Sequence, residues 1–176
     1  MAVSQFRTNL IPFTSLKELG IEVPSLIALE EVSQPCSVEE LHEIVSRLPD
    51  YWKGVEIQED YRHLVKAILG ERESWSDNAL MFGDEDGDSA EVWFDSANKI
   101  KRIDLCFGLR NPDLAKMKKL VAFISQIRCA IHCLESGKII EPKIEPLIFE
   151  MNNSKASRYL PYGPLAVPKS CQSKNP

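Results

Sequence analysis

Three aspartates at alternate positions, Asp84, Asp86 and Asp88, form the densest set of oxygen donors in the sequence. They carry the 1-3-5 spacing of a calcium loop, with Asp95 at position twelve. Position six is Ser89 rather than the glycine that makes the sharp turn. An aspartate at position twelve also reaches less far than a glutamate. The flanks pattern as strands, whereas a calcium loop sits between helices. No metal is therefore expected here. Two other readings stay open: a solvated hairpin turn, or an acidic contact for a basic partner, because clustered carboxylates steer a cationic surface into encounter. On the second reading the contact residues are Asp84, Glu85, Asp86, Asp88, Glu91 and Trp93.

Cys129, His132 and Cys133 are the other metal-ligating types that fall close together. Read as part of one helix, Cys129 and Cys133 lie a turn apart and could share an ion. A zinc site needs about four ligands, and no second Cys/His pair stands at useful spacing. The preferred reading is core thiols beside a polar stripe of Ser125, Arg128 and His132. The five cysteines are odd in number and irregularly spaced, which suits reduced, buried thiols.

His42 and His63 accompany no nucleophile motif. The sequence contains no G-x-S-x-G, no P-loop, no G-x-G-x-x-G and no H-E-x-x-H. Asp104 and Arg102 share one face of a strand, where a salt bridge is the plain reading and a catalytic acid the sharper one. Lys99, Lys101, Arg102, Lys116, Lys118 and Lys119 form a basic region with few aromatics, and the chain is net −5, so nucleic acid is not the expected partner. Trp52, Trp75 and Trp93 are of the type that anchors cores or interfaces. Trp93 points to the strand face opposite Val92 and Phe94. No catalytic residue, metal or cofactor is assigned.

Charge is unevenly spread. Residues 1–95 carry 20 Asp and Glu against 7 Lys and Arg, and residues 96–176 carry 6 against 14. Such asymmetry acts on partners and association rates more than on fold.

The elements that must position these residues follow from periodicity and turn chemistry. Asn78–Phe82, Glu91–Asp95 and Ile103–Leu109 read as strands separated by turns at Gly83–Ser89 and Ser96–Lys99. A long helix is expected over residues 112–135, with Asn111 at its cap, Pro112 at its first position and an apolar stripe of Met117, Leu120, Ile124, Ile127, Ile131 and Leu134. Ser136 and Gly137 end it. Towards the N-terminus, Thr14 and Ser15 cap a brief helix to Leu19, Pro24 confines residues 21–29 to an edge strand, Ser37 and Glu40 box a helix to Leu48, and residues 57–69 form another that Gly70 terminates. Lys138–Ile140 suggests a short strand and residues 144–151 a helix. The predicted architecture is α+β: an antiparallel meander over about 78–110, packed on the helix of about 112–135, with additional N-terminal helices. One domain is expected over residues 1–160, followed by an extended or disordered tail over 161–176.

Residues 1–15 hold no apolar run of signal-peptide type, and no segment approaches the roughly 18 apolar residues of a membrane span, so a cytoplasmic location is expected. The acidic first half, the lack of catalytic motifs, the single-domain size, the carboxylates Asp84, Glu85, Asp86, Asp88 and Glu91, and the layout from residue 78 to about 160 together resemble bacterial immunity proteins of polymorphic toxin systems, of the contact-dependent inhibition or Rhs type. The resemblance implies a tight one-to-one complex with a basic toxin domain. Two alternatives belong to other classes: a secretion chaperone, which would be a homodimer, and an enzyme whose site is assembled from dispersed residues.

Overall fold

The computed structural model describes residues 5–26, 49–57, 60–155, 157 and 165. Eight strands form one sheet: β1 (Gln5–Pro12), β2 (Ser25–Leu26), β3 (Glu71–Arg72), β4 (Ala79–Gly83), β5 (Ser89–Phe94), β6 (Ile100–Gly108), β7 (Cys129–Cys133) and β8 (Lys138–Ile140). Their order is β2-β8-β7-β1-β6-β5-β4-β3, and every neighbouring pair is antiparallel. Four helices accompany them among the described residues: α1 (Phe13–Glu18), α2 (Tyr61–Leu69), α3 (Leu114–Gln126) and α4 (Ile144–Asn153). The α+β class and the meander β4-β5-β6 follow the sequence pattern. The capping-box helix expected from Ser37 to Leu48 lies outside the described residues.

Three boundaries differ from expectation. The first is β1, the strand between β6 and β7. Arg7, Thr8 and Asn9 break its apolar run, which hides a strand whose buried polar groups have partners. Thr8 Oγ1 donates to the carbonyl of Leu105 at 3.1 Å, and Asn9 Nδ2 donates to Asp104 at 3.0 Å. The second is the long helix, which is 13 residues and not the stretch 112–135. Its cap is Asp113, whose carboxylate accepts from Lys116 N, so Asn111 and Pro112 precede the helix. It ends at Ile127, and Arg128 turns the chain at a positive φ of 59°. The third is β7, built from residues expected to continue that helix. The run Cys129-Ala-Ile-His-Cys is buried throughout. A short apolar run of this kind suits a central strand as well as a helix, and periodicity does not arbitrate. Ser136 and Gly137 consequently belong to the β7–β8 turn, where Gly137 N donates to Cys133 O.

Alternation sorts the sheet into two faces. Phe6 and Leu10 of β1, Phe82, Ala90, Val92, Ile103, Leu105, Phe107 and Ile131 share the apolar face by register. The stripe Met117, Leu120, Val121, Phe123 and Ile124 of α3 is buried; α3 packs on α2, α4 and β7, and α2 packs on β4 and β5. Each such side chain contributes about 1.5–3 kcal/mol on burial. No helix among the described residues is long and apolar enough to cross a membrane.

Candidate functional site

The acidic hairpin is a fixed loop. Gly83 turns out of β4 at φ 82°, and a Cβ there would meet the carbonyl oxygen of Asp88 at 2.2 Å, so only glycine fits. Asp84 N donates to Asp88 O at 3.0 Å, and Asp84 Oδ1 accepts from Asp86 N at 3.1 Å. Gln5 Nε2 holds the Gly87 carbonyl at 3.1 Å. Gly108 lies so close beneath that a Cβ on it would come within 2.9 Å of Gly87 Cα.

Within that loop the four carboxylates have different work. Asp84, Glu85 and Asp86 are exposed. Asp88 is buried, and its Oδ1 accepts from Gly108 N at 2.9 Å. Burial pushes its carboxyl up, while the Gly108 amide and Lys116, 3.9 Å away, pull it down. Among the described residues, the Asp88–Lys116 pair alone joins the acidic front half to the basic back half. Among the described residues, no lysine of the back half pairs with Asp84, Glu85 or Asp86. Lys118 and Lys119 lie exposed on α3, apart from Arg102 on the sheet.

No three His, Cys, Asp or Glu side chains among the described residues come together as metal ligands. Asp84, Asp86 and Asp88 do not converge. On β7, Cys129 and Cys133 face one way and His132 the other, because a strand alternates where a helix would align them. Burial pushes the Cys133 thiol up to about 12 and the Cys106 thiol up to about 11, and it raises Cys129 as well. None of these thiols is activated. His63 is exposed on α2, and His42 is outside the described residues.

The second face of the sheet carries a polar line that the sequence only hinted at. Arg72, Met81, Glu91, Asp104, Asn9 and His132 stand in one cross-strand row from β3 to β7. Arg72 lies 3.7 Å from Glu85 and 3.8 Å from Glu91, joining the hairpin tip to the sheet face. Glu91 accepts from Trp93 Nε1 at 3.3 Å. The guanidinium of Arg102 stands 5.1 Å from the Trp93 ring centre, and Trp75 meets the same ring edge-on at 5.4 Å. Trp75 itself is 74 % exposed. Arg102 Nε is 2.6 Å from Asp104 Oδ2, a close ion pair within the row. Burial raises the Asp104 carboxyl to about 6 against the opposing pull of Arg102 and Asn9. Beyond Asn9, burial lowers His132 to about 4, and neither ring nitrogen has a hydrogen-bond partner.

The alternation of Arg102 and Asp104 on one face was legible, and the pair forms as the plain reading had it. Trp75, Arg72 and Asn9 as parts of the same surface were not. Asn9 is 95 residues from Asp104, Trp75 lies in the loop before β4, and no local spacing links them to Arg102 and Asp104. A separate cleft of about 500 Å³ lies between residues 55–57, the start of α2 and the β5–β6 turn, lined by Leu80, Phe94, Ile100 and Tyr61 among others; none of the six candidate contact residues borders it. The sequence matches no family model, and neither a curated protein nor a solved structure is significantly similar to it.

Proposed function

We propose that the chain is a binding protein without catalytic activity, which docks a basic protein domain on the acidic hairpin and the adjoining Trp75–Trp93 surface, as an immunity protein does with its toxin. The observation that carries this reading is the exposure of Trp75 on the sheet face that Glu91 and Arg72 link to a fixed loop with exposed carboxylates at Asp84, Glu85 and Asp86. A large aromatic ring left in water is the commonest kind of interface anchor, and it costs little entropy to order. A loop already fixed by Gly83, Gln5 and Asp88 loses little further freedom on binding. Asp84, Glu85 and Asp86 supply the long-range attraction, and Trp75 supplies contact area once the partner has arrived.

The partners to try are basic toxin domains, beginning with any that is encoded beside this gene. Reversing Asp84, Glu85 and Asp86 to lysine is expected to lower the association rate by tenfold or more at low salt, with the difference shrinking at high salt. Binding kinetics that keep the same rate and the same salt dependence after triple reversal would remove the hairpin from the interface.

A further inference from the structure

We infer that Asp104 is a proton-responsive positioning residue for the Trp75–Trp93 surface: when its carboxylate takes up a proton, Arg102 leaves it for Glu91, and the surface presented to a partner changes. The functional consequence rests on the docking proposal above, but the device itself does not.

The geometry supplies the switch. Asp104 and Glu91 stand opposite each other on β6 and β5, and Arg102 stands opposite Trp93 one step along the same face. Arg102 is held by the Asp104 carboxylate, with Nε 2.6 Å from Oδ2. Neutral Asp104 offers it no charge, and among the described residues the register puts the Glu91 carboxylate diagonal to it on that face. Glu91 is the acceptor for Trp93 Nε1. Movement of the guanidinium towards Glu91 therefore alters two contacts of the Trp93 ring, the cation above it and the carboxylate at its edge.

The other charged and titratable groups around Asp104 leave it as the responsive one. Arg102 and Cys106 lie on its own strand, Asn9 and Arg7 on β1, Glu91 on β5, with Arg72 beyond Glu91 and His132 beyond Asn9. The arginines stay charged and the buried Cys106 thiol stays neutral. Burial brings Asp104 to about 6 and takes His132 to about 4, so the two titrate in different ranges. Proton uptake also adds one positive charge to the surface, which disfavours a basic partner. Docking of such a partner is expected to weaken as pH falls through 6 and to release a proton near that pH.

The test uses the free chain, so its failure is distinct from failure of the docking proposal. Tryptophan emission is followed from pH 7.5 to 5, with far-UV circular dichroism verifying the fold at each point. The expected result is a transition with its midpoint near 6 in the parent chain, lost in Asp104→Asn and lost in Trp93→Phe. Asparagine preserves the shape and an oxygen for Asn9 Nδ2, and Trp93→Phe leaves Asp104 untouched, so one variant probes the proton and the other the reporter. Trp52, buried with its Nε1 on the Leu10 carbonyl, supplies a constant background. A folded parent chain with no transition, or a transition that persists in either variant, overturns the inference.

Discussion

Asn9 on β1 donates to Asp104 on β6 at 3.0 Å while standing in register with His132 on β7, so one neutral amide separates a half-buried acid from a buried base. The two respond to pH in opposite senses. Asp104 has a folded pKa of about 6, above the ordinary 3.8, so the native state binds the extra proton between those values. Its contribution falls as pH rises through that window, by on the order of 2–3 kcal/mol. His132 has a folded pKa of about 4, below the ordinary 6.5, so the unfolded state binds the extra proton. Its contribution is lost as pH falls from 6.5 towards 4, by a similar amount. The opposing slopes are expected to leave the parent chain nearly flat between pH 4 and 6. Asp104→Asn should uncover the histidine slope, with stability falling as the solution is acidified. Urea midpoints at half-unit steps would show this, and a variant profile parallel to the parent would contradict it.

Asp88 and Asp84 are four residues apart in one acidic loop, yet they should behave differently. Asp88→Ala leaves the buried Gly108 amide without its acceptor, at a cost of about 1–3 kcal/mol. Asp84→Asn keeps an oxygen for Asp86 N on an exposed turn, and its effect should stay within about 0.5 kcal/mol. Chemical denaturation of the two variants separates a structural carboxylate from surface ones. Equal losses would mean that the loop is not anchored through Asp88.

The meander was legible because its strands alternate and its turns carry glycine and aspartate. Pro24 confined residues 21–29 to an edge, where β2 is now the last strand of the sheet. The central strands were illegible for a common reason. Covered on both faces, β1 and β7 need no alternation, and their identity is fixed by neighbours distant in sequence. Asn9 looked like an interruption because its partner, Asp104, is 95 residues away. The same distance hid the polar line. Of the six contact residues expected from sequence, Asp84, Glu85 and Asp86 form the exposed tip, Glu91 and Trp93 belong to the sheet face, and Asp88 is turned inward.

The end of α3 offers a test of that hidden boundary. Arg128 holds φ 59°, a left-handed conformation that costs a residue with a Cβ about 1 kcal/mol or more. Its side chain is exposed, and its carbonyl accepts from Phe13 N at 3.0 Å, a bond that any residue could make. Arg128→Gly should therefore raise stability by about 1 kcal/mol, against the usual effect of introducing glycine. Were the helix to continue through residue 128, the same substitution would lower stability by a similar amount, so the sign of the shift in thermal midpoint decides.

Trp75 is separable from the other tryptophans by solvent contact. It is 74 % exposed, Trp93 is partly covered by Trp75 and Arg102, and Trp52 is 3 % exposed. Acrylamide should quench the parent chain in two classes, and Trp75→Phe should remove most of the readily quenched fraction while leaving stability nearly unchanged. In the complex, the anchor role makes a sharper demand. An interface ring acts after encounter, so Trp75→Ala should raise the dissociation rate by tenfold or more with little change in association, the reverse of what charge reversal at Asp84, Glu85 and Asp86 does. Protection of Trp75 from acrylamide on adding the partner would place the ring in the contact. Full quenching in a saturated complex would leave Trp75 outside it, whatever the hairpin does.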